Sequence, residues 1–193
     1  MKINGSDSSD SALEQILTEV AVCVRQVSAD SLIQARELME SFPRIFVAGA
    51  GRSGLCMRAL GMRLMHLGKT VYVVGETTTP SIAAADLLIL GSGSGRTAGL
   101  LAMAGQARRL GTKILLFTTD ATSPLSGLVD HRVVIPAPSL KAEVGVPVHT
   151  SVQPLGTLFE LSLLILCDSL ILELMPRTGV GAAQMFEHHA NLE

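Results

Sequence analysis

Residues 86–97 read DLLILGSGSGRT, and no other stretch constrains the fold so tightly. Leu87, Leu88, Ile89 and Leu90 form a continuous apolar run, the mark of a strand buried on both faces. The run breaks into Gly91, Ser92, Gly93, Ser94 and Gly95, after which residues 97–110 resume at helical spacing. A strand, a glycine turn and a helix in that order let the backbone approach an anion closely. The free N–H groups of the helix start then point at it. Ser92, Ser94 and Thr97 add hydroxyl donors. The stretch lacks the Gly-Lys-Ser/Thr ending of a nucleotide P-loop. Hydroxyls at a helix start favour a monophosphate site over a merely flexible Gly/Ser turn.

The flanking pattern extends this unit in both directions. Ser11 and Glu14 have the spacing of a capping box for a helix to about residue 26, and a second helix over 29–41 stops before Pro43. From residue 44 onward, strands at 45–48, 70–74, 87–90, 114–118 and 132–135 alternate with helices at 53–67 and 97–110. A loop rich in Pro, Gly and Val (136–152) leads to a long helix over 154–175, a break at 176–181 and a short helical tail. Such alternation predicts an α/β fold: a doubly wound, five-stranded, mainly parallel sheet flanked by helices, with right-handed crossovers. Residues 44–193 form that domain, and residues 1–43 form a helical pair packing on it or on a partner subunit. In strand order 2-1-3-4-5 the ligand sits between strands one and three, and the two glycine loops follow those strands.

Composition narrows the class. Hydrophobic residues make up 48% of the 193, charged residues 17%, and mean hydropathy is +0.43, so either the core is large or other subunits cover apolar surface. A net charge of −2 without a basic run leaves no footprint for nucleic acid. Cys23, Cys56 and Cys167 lack zinc-ligand spacing and read as buried thiols of a reducing compartment. Glu160, Asp168 and Glu173 interrupt residues 155–175, which therefore read as a buried helix and not a membrane span. The polar start, residues 1–11, lacks a signal-peptide core, and a cytoplasmic protein is expected.

Four further groups carry chemistry. GAGRSG at 49–54 has the Gly-x-Gly-x-x-Gly spacing of a dinucleotide fingerprint, with Glu76 as its ribose acid. That reading leaves the Gly-Ser loop without a role and the chain without room for a substrate domain; if the loop binds a sugar, Arg52 and Ser53 reach ligand oxygens. Glu76 itself is either a solvated turn carboxylate or a substrate contact. Pro154 suits a first helical position, which puts Glu160 nearly two turns in, beyond the reach of a favourable macrodipole. A carboxylate among Phe159, Leu161, Leu163 and Leu164 needs a partner or a job: an ion pair, or general-base chemistry near neutrality. His188 and His189 point about 100° apart on a helix, unsuited to joint metal ligation. A tail carrying Phe186 and Leu192 can dock on a neighbouring subunit and deliver a histidine there. His66, His131 and His149 stand singly and read as satisfied by local hydrogen bonds.

GAGRSG (49–54), MRLMHLG (62–68), VGET (74–77), GSGSGRT (91–97), QPLGTLFE (153–160) and HHANLE (188–193) together resemble the sugar isomerase (SIS) superfamily, and within it the 6-phospho-3-hexuloisomerases. The last two runs are the most specific. The resemblance implies a homotetramer with sites at subunit interfaces, no cofactor and no metal. It implies interconversion of D-arabino-3-hexulose 6-phosphate and fructose 6-phosphate, the step after formaldehyde fixation in the ribulose monophosphate pathway. It also implies substrate contacts from Ser53 and from Ser92, Gly93, Ser94, Gly95, Arg96 and Thr97. Glu160 would accept the proton, and His189 of a neighbouring subunit would assist. Relatives commonly carry Glu where Arg96 stands, so Arg96 is not needed as an acid and either adds charge for the phosphate or faces solvent. Two alternatives share the fold: another sugar-phosphate isomerase, such as one acting on arabinose 5-phosphate, and a non-catalytic sugar-phosphate sensor. The weakly charged segment ahead of the sheet disfavours a DNA-binding regulator.

Overall fold

The computed structural model describes residues 11–138 and 151–192. Most of the loop expected over 136–152 lies outside the described residues, as does the polar N-terminus. The elements in order are α1 (Ala12–Arg25), α2 (Ala29–Ser41), β1 (Arg44–Gly49), α3 (Gly51–His66), β2 (Thr70–Val73) and β3 (Leu87–Gly91). There follow α4 (Ala98–Arg109), β4 (Lys113–Thr118), a 3-10 turn at Ser126–Leu128, β5 (His131–Val134), α5 (Thr157–Thr178) and α6 (Ala182–Glu187). All strand pairs are parallel, and the sheet order β2-β1-β3-β4-β5 is the one expected.

Alternation along the strands divides the core into two layers, because successive side chains point to opposite faces. Ile45, Val47, Leu87, Ile89, Leu115 and Phe117 face one cluster, packed with residues of α1, α2, α3 and α5. Phe46, Ala48, Leu88, Leu90, Ile114 and Leu116 face the other, covered by Leu100, Ala104 and Ala107 of α4. The N-terminal pair belongs to the first layer: Val20 and Cys23 of α1 and Ala35 and Met39 of α2 are buried there. Ser11 caps α1 by accepting the Glu14 N–H at 3.3 Å.

Two helix limits differ from expectation. Leu155 adopts φ 58°, a left-handed conformation that a helix cannot contain, so Pro154 does not open α5 and the helix starts at Thr157. At the other end α5 passes through Pro176 to Thr178 and closes on Gly179 at φ 70°. Pro176 and Leu172 are both exposed, so water can satisfy the Leu172 carbonyl that proline leaves without an N–H partner.

The strand that carries the Gly-Ser loop is anchored at its start by Asp86, whose side chain is 3% exposed. Its carboxylate accepts Arg44 Nε at 2.6 Å, Arg44 Nη2 at 2.7 Å and the Ala83 N–H at 2.7 Å. The two-pronged Arg44 contact holds the Asp86 carboxyl below the usual carboxylate range, burial opposing it. A lowered carboxyl stabilises the fold fully above the ordinary Asp value and loses that contribution as pH falls through the native one. Asp86→Asn therefore lowers unfolding free energy by about 2 kcal/mol at neutral pH. The gap to the parent protein narrows below about pH 4 in urea titrations.

Candidate active site

At the carboxyl ends of β1 and β3 the two glycine turns face each other, because the register pairs Gly49 with Gly91. A cleft of about 250 Å³ opens there, lined by Ala50 and Ser53 at the start of α3, Ser92, Gly93, Ser94 and Thr97 ahead of α4, and Phe159 and Glu160 of α5. Gly91, Leu100, Pro138, Leu155 and Gly156 complete it. The glycines allow close approach. A Cβ at Gly54 would stand 2.7 Å from the Gly49 carbonyl oxygen, and one at Gly93 would stand 3.2 Å from the Phe159 ring.

The Gly-Ser loop is braced internally by its own serine hydroxyls. Ser92 Oγ accepts the Gly95 N–H at 3.2 Å and Ser94 Oγ accepts the Arg96 N–H at 3.3 Å. Each oxygen is thus engaged as acceptor, which leaves its hydroxyl hydrogen to donate to a ligand. Gly95, at φ 59°, turns the chain into α4, where a side chain would collide with Ser123. Thr97 occupies the N-cap of α4 without a side-chain capping bond, so it leaves the first-turn N–H groups beside the cleft uncapped.

Glu160 accepts a hydrogen bond from Arg52 Nε, and its side chain is 15% exposed. Since α5 starts at Thr157, Glu160 stands in the first turn, where the helix dipole favours a carboxylate, and not nearly two turns in. Its partner and its position thus both have a structural cause, and what marks it chemically is that it lines the cleft opposite the serine loop. Cys56, one turn after Ser53 on α3, donates its Sγ–H to the Glu160 carbonyl oxygen at 3.3 Å; burial, helped by Glu160, pushes its thiol up and away from nucleophilic use.

Other sequence candidates are placed elsewhere. Glu76 accepts Arg58 Nη1 at 2.5 Å on the outer face of α3 and does not line the cleft. Arg96 points to the loop after β4, reaching Asp120 Oδ2 at 3.3 Å. His189 stacks on His66 with ring centroids 5.6 Å apart, and His188 Nδ1 donates to the His66 carbonyl at 2.8 Å. His66 ends α3, thirteen residues from Ser53, so the tail lies about 20 Å from its own chain's cleft. Phe186 is 77% and Leu192 99% exposed beside it. His131 Nε2 donates to the Ser31 carbonyl of α2 at 2.8 Å, a bond to a segment 100 residues away and not the local one expected. Among the described residues no group of three or more His, Cys, Asp or Glu is arranged to hold a metal ion. No described helix is long and apolar enough to cross a membrane.

The SIS domain family matches residues 38–164, a span from the end of α2 into α5 that includes every residue lining the cleft. The chain belongs to the SIS domain family. This SIS chain is 43% identical to the 3-hexulose-6-phosphate isomerase of Mycobacterium gastri over 100% of its own length and 95% of the relative's. It is 38% identical to the 3-hexulose-6-phosphate isomerase of Bacillus subtilis, covering 93% and 96%. Its fold superposes with a TM-score of 0.80 on a Methanococcus jannaschii protein whose crystal structure was taken to infer that same molecular function, at 32% identity and covering 94% and 98%.

Sequence reading missed Phe159, whose ring supports Gly93, and Ala50 at the mouth of α3; a bulky aromatic directly before the acid in LFE was the available signal. Ser92→Ala and Ser94→Ala each remove a hydroxyl donor and an internal loop acceptor. Each is expected to weaken sugar-phosphate binding by about 1.5–3 kcal/mol, read as a rise in the inhibition constant of inorganic phosphate.

Proposed function

We propose that the chain is a sugar-phosphate isomerase that interconverts D-arabino-3-hexulose 6-phosphate and fructose 6-phosphate, as in formaldehyde assimilation through the ribulose monophosphate pathway. One observation carries the reading: among the described residues a single carboxylate, Glu160, lines the same cleft as the hydroxyl-rich loop at the start of α4. The names of the relatives at 43% and 38% identity support the substrate.

In this reading Ser92, Ser94, Thr97 and the first amides of α4 hold the phosphate, and Ser53 contacts the sugar. Holding the phosphate converts remote binding energy into placement of C2 and C3 at the base. Glu160 takes the proton from C2 while the C3 carbonyl oxygen gains one, giving a cis-enediol. The C2 hydroxyl then loses its proton as Glu160 returns one to C3, leaving the ketone at C2. Atoms and electrons balance without a hydride carrier. Arg52 orients the carboxylate through its hydrogen bond to Glu160.

A group serving the two sugar oxygens is still required. We assign it to His189 of a neighbouring subunit in a homotetramer, since the tail stands far from its own cleft and exposes Phe186 and Leu192. The cytoplasm suits this enzyme, because Cys23, Cys56 and Cys167 are free and buried thiols.

Glu160→Gln keeps the shape but cannot accept a proton, so kcat falls by about 10²–10⁴ while KM changes much less. Deuterium exchange at C2 of fructose 6-phosphate in D₂O slows in parallel. Wild-type exchange in the Glu160→Gln variant would remove Glu160 from the base role.

Deleting residues 186–193 is expected to abolish turnover yet leave the sheet folded by circular dichroism. Mixing that truncated chain with tailed Glu160→Gln chains restores part of the activity in hybrid oligomers. A full-length monomer active at assay concentration would overturn the shared site.

A further inference from the structure

The Gly93 carbonyl oxygen accepts three hydrogen bonds at once. The Thr119 N–H donates at 3.0 Å, Thr119 Oγ1 at 2.9 Å and Thr118 Oγ1 at 3.0 Å. A carbonyl carries two lone pairs, so this oxygen is engaged beyond the ordinary satisfaction of a buried backbone group. Thr118 ends β4 and Thr119 directly follows it, on the far side of β3 from β1, and neither lines the cleft. The peptide bond from Gly93 to Ser94 is trans, as all are among the described residues, so its N–H points opposite to its carbonyl. Fixing the oxygen toward β4 therefore directs the Ser94 N–H toward the β1 side, where Ala50 and Ser53 form the other wall.

The rest of the loop is braced from the same direction. The Leu125 N–H donates to the Gly95 carbonyl at 3.1 Å, and the Thr118 hydroxyl oxygen also accepts the Asp120 N–H at 3.2 Å. The loop's internal bonds, from the Gly95 N–H to Ser92 and from the Arg96 N–H to Ser94, do not involve the Gly93 carbonyl, and a glycine peptide turns at little steric cost. Two hydroxyls, from the last residue of β4 and the one after it, hold that carbonyl instead.

We propose that Thr118 and Thr119 are positioning residues for anion binding: they lock the Gly93–Ser94 peptide so that the Ser94 N–H is preset as a phosphate donor. The inference rests on the phosphate cleft described above and adds to it a pair of residues that never touch the substrate. Presetting the donor removes an ordering cost from binding, so its loss appears in affinity for any ligand carrying the phosphate. Chemistry at C2 and C3 is served by other groups and is not affected to the same extent.

The test compares Thr118→Val/Thr119→Val with Thr118→Ser/Thr119→Ser and with Thr119→Val alone, all in the full chain. Valine keeps the shape and the Thr119 N–H but removes both hydroxyls; serine keeps the hydroxyls. The double valine variant should raise the inhibition constant of inorganic phosphate and the KM of fructose 6-phosphate together, by about 10-fold. Its kcat should fall by less than about threefold. The serine pair should bind phosphate like the parent, and Thr119→Val should show a smaller rise in the same direction. In transverse-relaxation-optimised NMR spectra, phosphate should move the Ser94 amide downfield in the parent and serine proteins and far less in the double valine variant. Should the double variant fail to fold, Thr119→Val carries both readouts. A folded valine variant with parental phosphate affinity, or one losing kcat at unchanged KM, overturns the positioning role and leaves the phosphate cleft standing. A parent protein whose Ser94 amide ignores phosphate, and which phosphate does not inhibit, overturns the cleft assignment and this inference with it.

Discussion

Parallel pairing of β3 between β1 and β4 puts Ile45 opposite Leu87, Gly49 opposite Gly91, and Gly91 opposite Phe117. Because the three strands run in one direction and end at one level, the turns that follow them emerge side by side. Helices α3 and α4 then leave from adjacent points of the sheet's carboxyl edge, and their N-termini converge on a common space. A one-residue slip would exchange the two faces of the strand and move the Gly-Ser loop relative to GAGRSG. Leu87 to Leu90 are all at most 2% exposed, so such a slip would place each side chain in the wrong layer. Burial on both faces is thus what sets the geometry of the cleft.

Around that edge the work is divided among segments distant in sequence. The Gly-Ser loop lines the cleft with Ser92 and Ser94, Thr118 and Thr119 at the end of β4 and just after it hold the loop, and α3 supplies Ser53 and the Arg52 that meets Glu160. Helix α5 closes the cleft with Phe159 and Glu160. Its start is held by a left-handed Leu155 and by a clamp from α1, where Glu19 accepts Ser151 Oγ at 2.6 Å, the Val152 N–H at 2.9 Å and Gln153 Nε2 at 2.9 Å. Those bonds hold the Glu19 carboxyl below its ordinary value even though burial, the largest single influence, opposes them. The first helix of the chain therefore reaches the site indirectly, by fixing the segment that launches the acid-bearing helix.

Distance separates the tail from this assembly within one chain. Helix α3 has the cleft at one end and the His66–His188–His189 cluster at the other. At that far end Phe186 and Leu192 remain exposed, an apolar surface that nothing in the chain itself covers among the described residues.

What the sequence determined by itself was whatever depends on local pattern. A doubly apolar run, glycine at turns and helical spacing identify strands, turns and helices one by one, and alternating elements permit few topologies. Hence the sheet order and the nearness of the two glycine loops were legible, as was the association of Ser92, Ser94, Thr97 and Glu160 through motifs. Tertiary structure alone decided how those residues are engaged. Only the fold shows that Arg52 meets Glu160, that Glu76 is turned to Arg58, and that Arg96 is drawn to Asp120. It also moved the start of α5 to Thr157, since proline's preference for a first helical turn cannot reveal a left-handed residue one position later. Hydrogen bonds between side chains and segments far apart in the chain leave no periodic trace. The three donors on the Gly93 carbonyl come from the end of a strand and the residue after it, more than twenty residues away, where they read only as two threonines closing an apolar run.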